Sequence, residues 1–198
     1  MSPPRSTADL RVIEGPRRLP AIPSAVLGML FFILTEVMLF AGMISAFTIT
    51  KSSAVLGWPP PGQPRLPADE TMVNTIALLL SGVVLFWAGR AFARERRSAR
   101  GPLFTAWALG AFFVLFQGIE WVHLLQEGLT IQSSQHGAFF YLIVGTHALH
   151  AVGAIAALSM VAHRLRRGRL ASSTFQAVRV FWYFVVLVWP VLYTLVYL

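Results

Sequence analysis

Five side chains in this sequence could hold a proton or an ion where water is scarce: Glu36, Gln117, Glu120, His147 and His150. Glu36 interrupts a long apolar run, with Phe31-Phe32-Ile33-Leu34 before it and Val37-Met38-Leu39-Phe40 after it. Gln117 and Glu120 are three residues apart, as are His147 and His150, a spacing that puts each pair on one side of a helix. A carboxyl in such a run can act as a proton relay or ion site, because ionisable groups in apolar helices are costly. It can equally be a neutral carboxyl hydrogen-bonded in a helix–helix contact, and that plainer reading is favoured for both Glu36 and Glu120. Two imidazoles on one face can ligate a metal, but a redox or catalytic metal needs further ligands. The other histidines are His123, which continues the Gln117–Glu120 spacing, His136 and His163. His163 is expected at the cytoplasmic end of its helix and His136 in an outer loop, so neither converges on the pair. Structural hydrogen bonding is therefore the leading expectation for His147 and His150, with no metal site and no catalytic residue assigned. Cysteine is absent, which excludes thiolate ligands, thiol nucleophiles and disulfides.

The elements that must position these groups are membrane spans. Of the 198 residues, 56% are hydrophobic and only 12% charged, and the mean hydropathy is +0.66. Soluble domains carry about 25% charged residues, so lipid is the implied solvent. Five apolar stretches are long enough to cross, near Ala25–Thr48, Met72–Ala93, Leu103–Gln126, Ala138–Ala162 and Val178–Tyr197. The fold class expected is all-α and polytopic, with residues 1–23 as a polar, Pro-rich leader and 24–198 as a five-helix membrane domain. The first span is too long for a signal-peptide core and is expected to stay as a helix. No internal repeat is evident, and an odd number of helices argues against a duplicated transporter. The segment Lys51–Thr71 reads as an extended outer loop, with Trp58 at the membrane interface.

All but two of the 16 basic residues fall in the leader, from the end of the second span to the start of the third, or from the end of the fourth to the start of the fifth. Lys51 and Arg65 are the two exceptions. The positive-inside rule then places the N-terminus in the cytoplasm and the C-terminus outside. The arginines are topology signals and headgroup contacts rather than a nucleic-acid stripe. By helix rise, Glu36 lies about 18 Å along its span, and His147 lies about 16 Å from the same membrane face. Lipid offers no hydrogen bonds, so two polar groups at one depth should meet. Glu36 is predicted to face protein with His147 or His150 within direct or one-water reach. Gly42, Ser45 and Ala46, then Gly145 and Gly153, are predicted to allow close helix approach.

Six segments in order resemble the subunit III family of haem–copper respiratory oxidases, in its short five-helix bacterial form. Thr35-Glu36-Val37-Met38-Leu39-Phe40 resembles the family's Glu-bearing helix, and Trp58-Pro59-Pro60-Pro61-Gly62 its outer loop. Asn74-Thr75 with Ser81-Gly82 is similar to the next helix, and Gln117-x-x-Glu120-Trp121 to a Gln-x-x-Glu-aromatic element. Phe139-Phe140 through Gly145-Thr146-His147-Ala148-Leu149-His150 resembles the segment ending in His-x-x-His. Phe181-Trp182-Tyr183-Phe184-Val185-Val186-Leu187-Val188-Trp189 resembles the Trp-His-Phe-Val-Asp-Val-Val-Trp block, covering the chain from Ser24 to Leu198 overall. Tyr183 stands where the family usually has His, and Val186 where it usually has Asp.

The resemblance implies a non-catalytic subunit, multi-pass in a bacterial cytoplasmic (inner) membrane, that packs against the haem–copper subunit I, beside subunit II. It implies haems and copper in those partners, none in this chain, and phospholipid held in a cleft, with support of proton uptake during turnover. The two departures leave open a nitric oxide reductase-associated or quinol oxidase homologue. Two readings of other classes stand beside it: an independent transporter using Glu36 with His147 and His150, and a membrane metalloenzyme. The metalloenzyme is disfavoured by the want of converging ligands.

Overall fold

The computed structural model describes residues 22–55 and 57–198, so nearly all of the expected leader lies outside the described residues. Those residues form five helices and no strand: α1 (Ser24–Ser52), α2 (Ala68–Arg94), α3 (Arg100–Gln126), α4 (Gln135–Arg166) and α5 (Ser172–Leu192). All five are long and apolar enough to cross a membrane. Helix is the form a lipid-embedded open chain must take, because every peptide group is then satisfied within its own segment. Each helix runs past its apolar run into polar ends. The largest extension at a single end is in α5, which begins at Ser172 rather than Val178.

The buried positions step by threes and fours. In α3 they are Leu103, Ala106, Gly110, Phe113, Gln117, Glu120 and Leu124, one residue per turn along a single seam. In α5, Trp182, Val185, Trp189 and Leu192 are fully buried at the same rhythm. α5 is the hub and packs on α1, α2 and α4, while α2 pairs with α3, and α3 with α4. Lipid tails give apolar helices no hydrophobic reason to associate, so fit and polar contacts decide the packing. At Gly110 an added Cβ would collide with the Trp182 indole, and at Gly89 with the Arg179 guanidinium. At Gly82 it would stand 3.1 Å from Val186 Cγ1. The indole N–H groups of Trp182 and Trp189 donate to Ser81 Oγ (2.9 Å) and Thr75 Oγ1 (2.8 Å), fixing α5 to α2.

Close approach thus occurs at Gly82, Gly89 and Gly110, not where it was predicted. Gly42, Ser45 and Ala46 are exposed on α1, and nothing lies within 4 Å of a Cβ built on Gly42 or Gly153. α1 touches the bundle through the stripe bearing Phe40 and Phe47, the only buried residues among its 29. Gly145 makes only ordinary contact with Trp121, at 3.6 Å.

The loop before α2 is folded rather than free. Trp58 packs edge-on against Phe47 and His136, with ring centroids 5.6 and 5.3 Å apart. Ser133 Oγ donates to Gln63 Oε1 at 3.0 Å, joining this loop to the α3–α4 connection. Pro190 lies inside α5, and the chain widens into a π-helical turn at Tyr193–Tyr197 just beyond it.

Candidate functional site

The predicted polar residues form two separate groups. In the first, His150 Nε2 on α4 lies 2.9 Å from Glu36 Oε2 on α1, with side chains only 11% and 15% exposed. His150 Nδ1 is 2.7 Å from the Thr146 carbonyl one turn back. A carbonyl can only accept, so Nδ1 must carry a hydrogen there. Glu36 Oε2 is buried with no other polar partner, so the approach of the imidazole is its one polar contact. Phe32, Phe40, Phe181 and Phe184 surround the imidazole, with centroids 6.4, 5.7, 6.3 and 6.1 Å away. The pair is a polar contact in an aromatic box between α1 and α4, which also meet at Phe47–Phe139 and Phe40–His147.

His147 does not join it. One helical step of three residues turns about 300°, leaving the two imidazoles roughly 60° apart around α4. His150 thereby faces α1, while His147 is buried against Trp189 and Phe113, at 5.0 and 6.2 Å between centroids.

The second group lies between α2, α3 and the C-terminal turn. Gln117 Nε2 donates to Glu120 Oε2 at 2.7 Å and lies 3.1 Å from the Tyr197 hydroxyl. Thr71 Oγ1 is 3.1 Å from each Glu120 oxygen and 2.8 Å from the Pro67 carbonyl. Beside it, Asn74 Nδ2 donates to the Phe113 carbonyl at 3.2 Å, and Thr75 Oγ1 to the Thr71 carbonyl at 2.8 Å. All of these side chains are buried. Thr71 and Tyr197 are members that the sequence reading missed. The signal for Thr71 was the polar set Thr71, Asn74 and Thr75 at i, i+3 and i+4, hidden because the expected span began only at Met72 while α2 begins at Ala68. Tyr197 carried no such signal, because a terminal tyrosine reads as an interface anchor.

The remaining histidines stay apart. His123 is exposed, since six residues beyond Gln117 is about 600° of turn and leaves the seam by roughly 120°. His136 is not in a loop but in the first turn of α4, buried beneath Trp58. Among the described residues no three His, Cys, Asp or Glu side chains are placed to hold a metal.

Two apolar hollows flank these groups. A groove of about 510 Å³ runs between α1 and α5, lined by Ile33, Val37, Phe40, Tyr183, Phe184 and Val188 among others. A smaller cavity of about 200 Å³ lies between α3 and α4 beside Gln117, Trp121 and His147. Val186, at the position of the family's Asp, lines a third hollow with Leu79, Gly82, Val83 and Phe86. Tyr183, in place of His, accepts from Arg179 Nη2 at 3.2 Å.

Five apolar helices whose intramembrane polar groups bond helix to helix define a multi-pass membrane protein with interior polar staples. Comparison with known proteins narrows the class. Residues 13–198 match the family model described as cytochrome c oxidase subunit III, and the chain belongs to that family. A protein of Nocardia farcinica named "Probable cytochrome c oxidase subunit 3" is 31% identical over 176 residues, covering 86% of this chain and 85% of its own. A Mycobacterium leprae protein of the same name is 31% identical over 178 residues, with the same coverage. The cytochrome c oxidase subunit 3 of the armadillo Dasypus novemcinctus is 33% identical over 179 residues, covering 86% of this chain and 67% of its own. The family places the chain in a complex with other oxidase subunits.

Proposed function

We propose that this chain is the non-catalytic third subunit of a respiratory terminal oxidase in a bacterial cytoplasmic membrane. It packs against the haem–copper subunit I, near subunit II, and those partners carry all haem and copper. Its N-terminus is cytoplasmic and its C-terminus outside. The observation that carries this reading is the family match across residues 13–198. The geometry supports it: Glu120 meets Thr71 of α2, Gln117 meets Tyr197 of the C-terminal turn, and Glu36 lies beside His150 of α4, which is how a scaffold uses intramembrane polar groups. The near-bare α1 leaves broad apolar surface for lipid or a neighbouring subunit. The α1–α5 groove, lined entirely by apolar and aromatic residues, suits phospholipid acyl chains. The subunit sustains proton uptake during turnover by keeping its partner's environment intact.

One observation favours a narrower branch. Val186 lines a hollow with Leu79, Val83, Phe86 and Tyr183, so an apolar side chain that makes no hydrogen bond stands at the position of the family's Asp. A nitric oxide reductase-associated or quinol oxidase homologue fits that change. Deleting the gene tests the main reading: the partner should retain its haem spectrum while stability or sustained turnover falls. Complete loss of haem from an abundant, assembled partner would place the chemistry in this chain and overturn it.

A further inference from the structure

We propose that the hollow between the two arginine-rich connections is a binding site for a phosphate-bearing anion. The α2–α3 connection supplies Arg96, Arg97 and Arg100, and the α4–α5 connection Arg166 and Arg167, around a pocket of about 350 Å³. All five are exposed, while Leu165 and Leu170 form a buried floor. The two connections are already fixed to each other. Arg96 Nη1 donates to the Leu170 carbonyl at 3.1 Å, and the Arg96 guanidinium lies 5.4 Å from the Phe92 ring centroid.

Among the described residues, no carboxylate pairs with any of these five arginines. The neighbouring acid, Glu95, accepts from Ser98 Oγ at 2.8 Å and lines a different groove with Arg90 and Arg94. α3 begins at Arg100 with no acidic residue in its first turn and no side-chain cap, so its peptide N–H end adds positive potential. Like charges around a concavity focus the field and draw a counter-ion. Planar guanidinium forks match the oxygens of a phosphate group, which they bind through paired hydrogen bonds. The site is separate from the α1–α5 groove, whose lining contains no charged residue. Its occupant is either the headgroup of an anionic phospholipid or a soluble phosphate compound.

The test uses the full chain in mild detergent. Equilibrium dialysis with labelled pyrophosphate probes the soluble source, and native mass spectrometry with phosphatidylglycerol against phosphatidylcholine probes the lipid source. At least one phosphate probe should be retained selectively, and Arg97→Gln with Arg167→Gln should weaken it about tenfold or more. Arg97→Lys with Arg167→Lys keeps the charge without the forks and should fall between that variant and the native chain. Arg164→Gln with Arg169→Gln removes the same charge outside the pocket and should change binding by less than about twofold. Retention of neither probe, or equal weakening by both glutamine pairs, would overturn the proposal.

Discussion

Removing Glu36 from its contact with His150 isolates one polar bond between two membrane helices. The carboxyl oxygen and Nε2 are 2.9 Å apart, and Nδ1 is committed to the Thr146 carbonyl at 2.7 Å. Glu36→Gln offers an amide N–H to Nε2, so the imidazole keeps a donor. Glu36→Leu offers none and leaves Nε2 facing phenylalanines. A buried acceptor deprived of its donor costs about 1–3 kcal/mol. Side-chain bonds between membrane helices average about 0.6 and reach about 1.7 kcal/mol, because the unfolded chain finds other partners in the membrane. With 15% of Glu36 and 11% of His150 exposed, the bond is mostly shielded, which argues for the upper half of that range. A coupling of about 1–1.5 kcal/mol is expected from the double-mutant cycle of Glu36→Leu and His150→Leu, measured by unfolding in mixed detergent micelles. Coupling below about 0.3 kcal/mol, or Glu36→Gln as destabilising as Glu36→Leu, would refute the bond as a staple.

Other expectations follow from the same geometry. Trp189→Phe removes the indole donor to Thr75 and should lower stability by about 1 kcal/mol in thermal melts, with the ring's packing retained. Gly110→Leu forces a side chain into the Trp182 indole and should cost about 3 kcal/mol or prevent accumulation, whereas Gly118→Ala, which meets open space, should be near neutral in the same assay. Val186→Asp places a carboxyl among Leu79, Val83 and Phe86 and should destabilise by about 2–3 kcal/mol; wild-type stability would reveal a polar partner there. A reporter fused after Leu198 should lie outside the cytoplasm, and one inserted among Arg94–Arg100 inside; the reverse pattern would sink the charge argument.

The five helices were legible because lipid demands long uninterrupted apolar runs, and the sequence has five. Glu36 and His150 were legible as partners because both are polar, costly and at one depth. Which side of a span faces protein was harder to read. α1 is apolar all round, so hydropathy could not distinguish its Phe40–Phe47 stripe from its Gly42–Ala46 face. Small residues suggested the wrong contacts there, while Gly82, Gly89 and Gly110 acquire their role only once Val186, Arg179 and Trp182 arrive from α5. His123 misled because steps of three residues drift around the helix and leave the seam after the second step. Thr71 and Tyr197 meet Glu120 only through tertiary packing, across separations that no local pattern reports.

The most direct test of the oxidase assignment is the absorption spectrum of whatever co-purifies with this chain, isolated through an affinity tag in mild detergent. A large membrane subunit should appear in fixed stoichiometry, with a reduced-minus-oxidised haem spectrum belonging to that partner. The purified chain alone should show no haem. A chain that purifies alone as a homogeneous, stable protein and carries out transport in liposomes, or one that itself retains stoichiometric haem or metal, would contradict it.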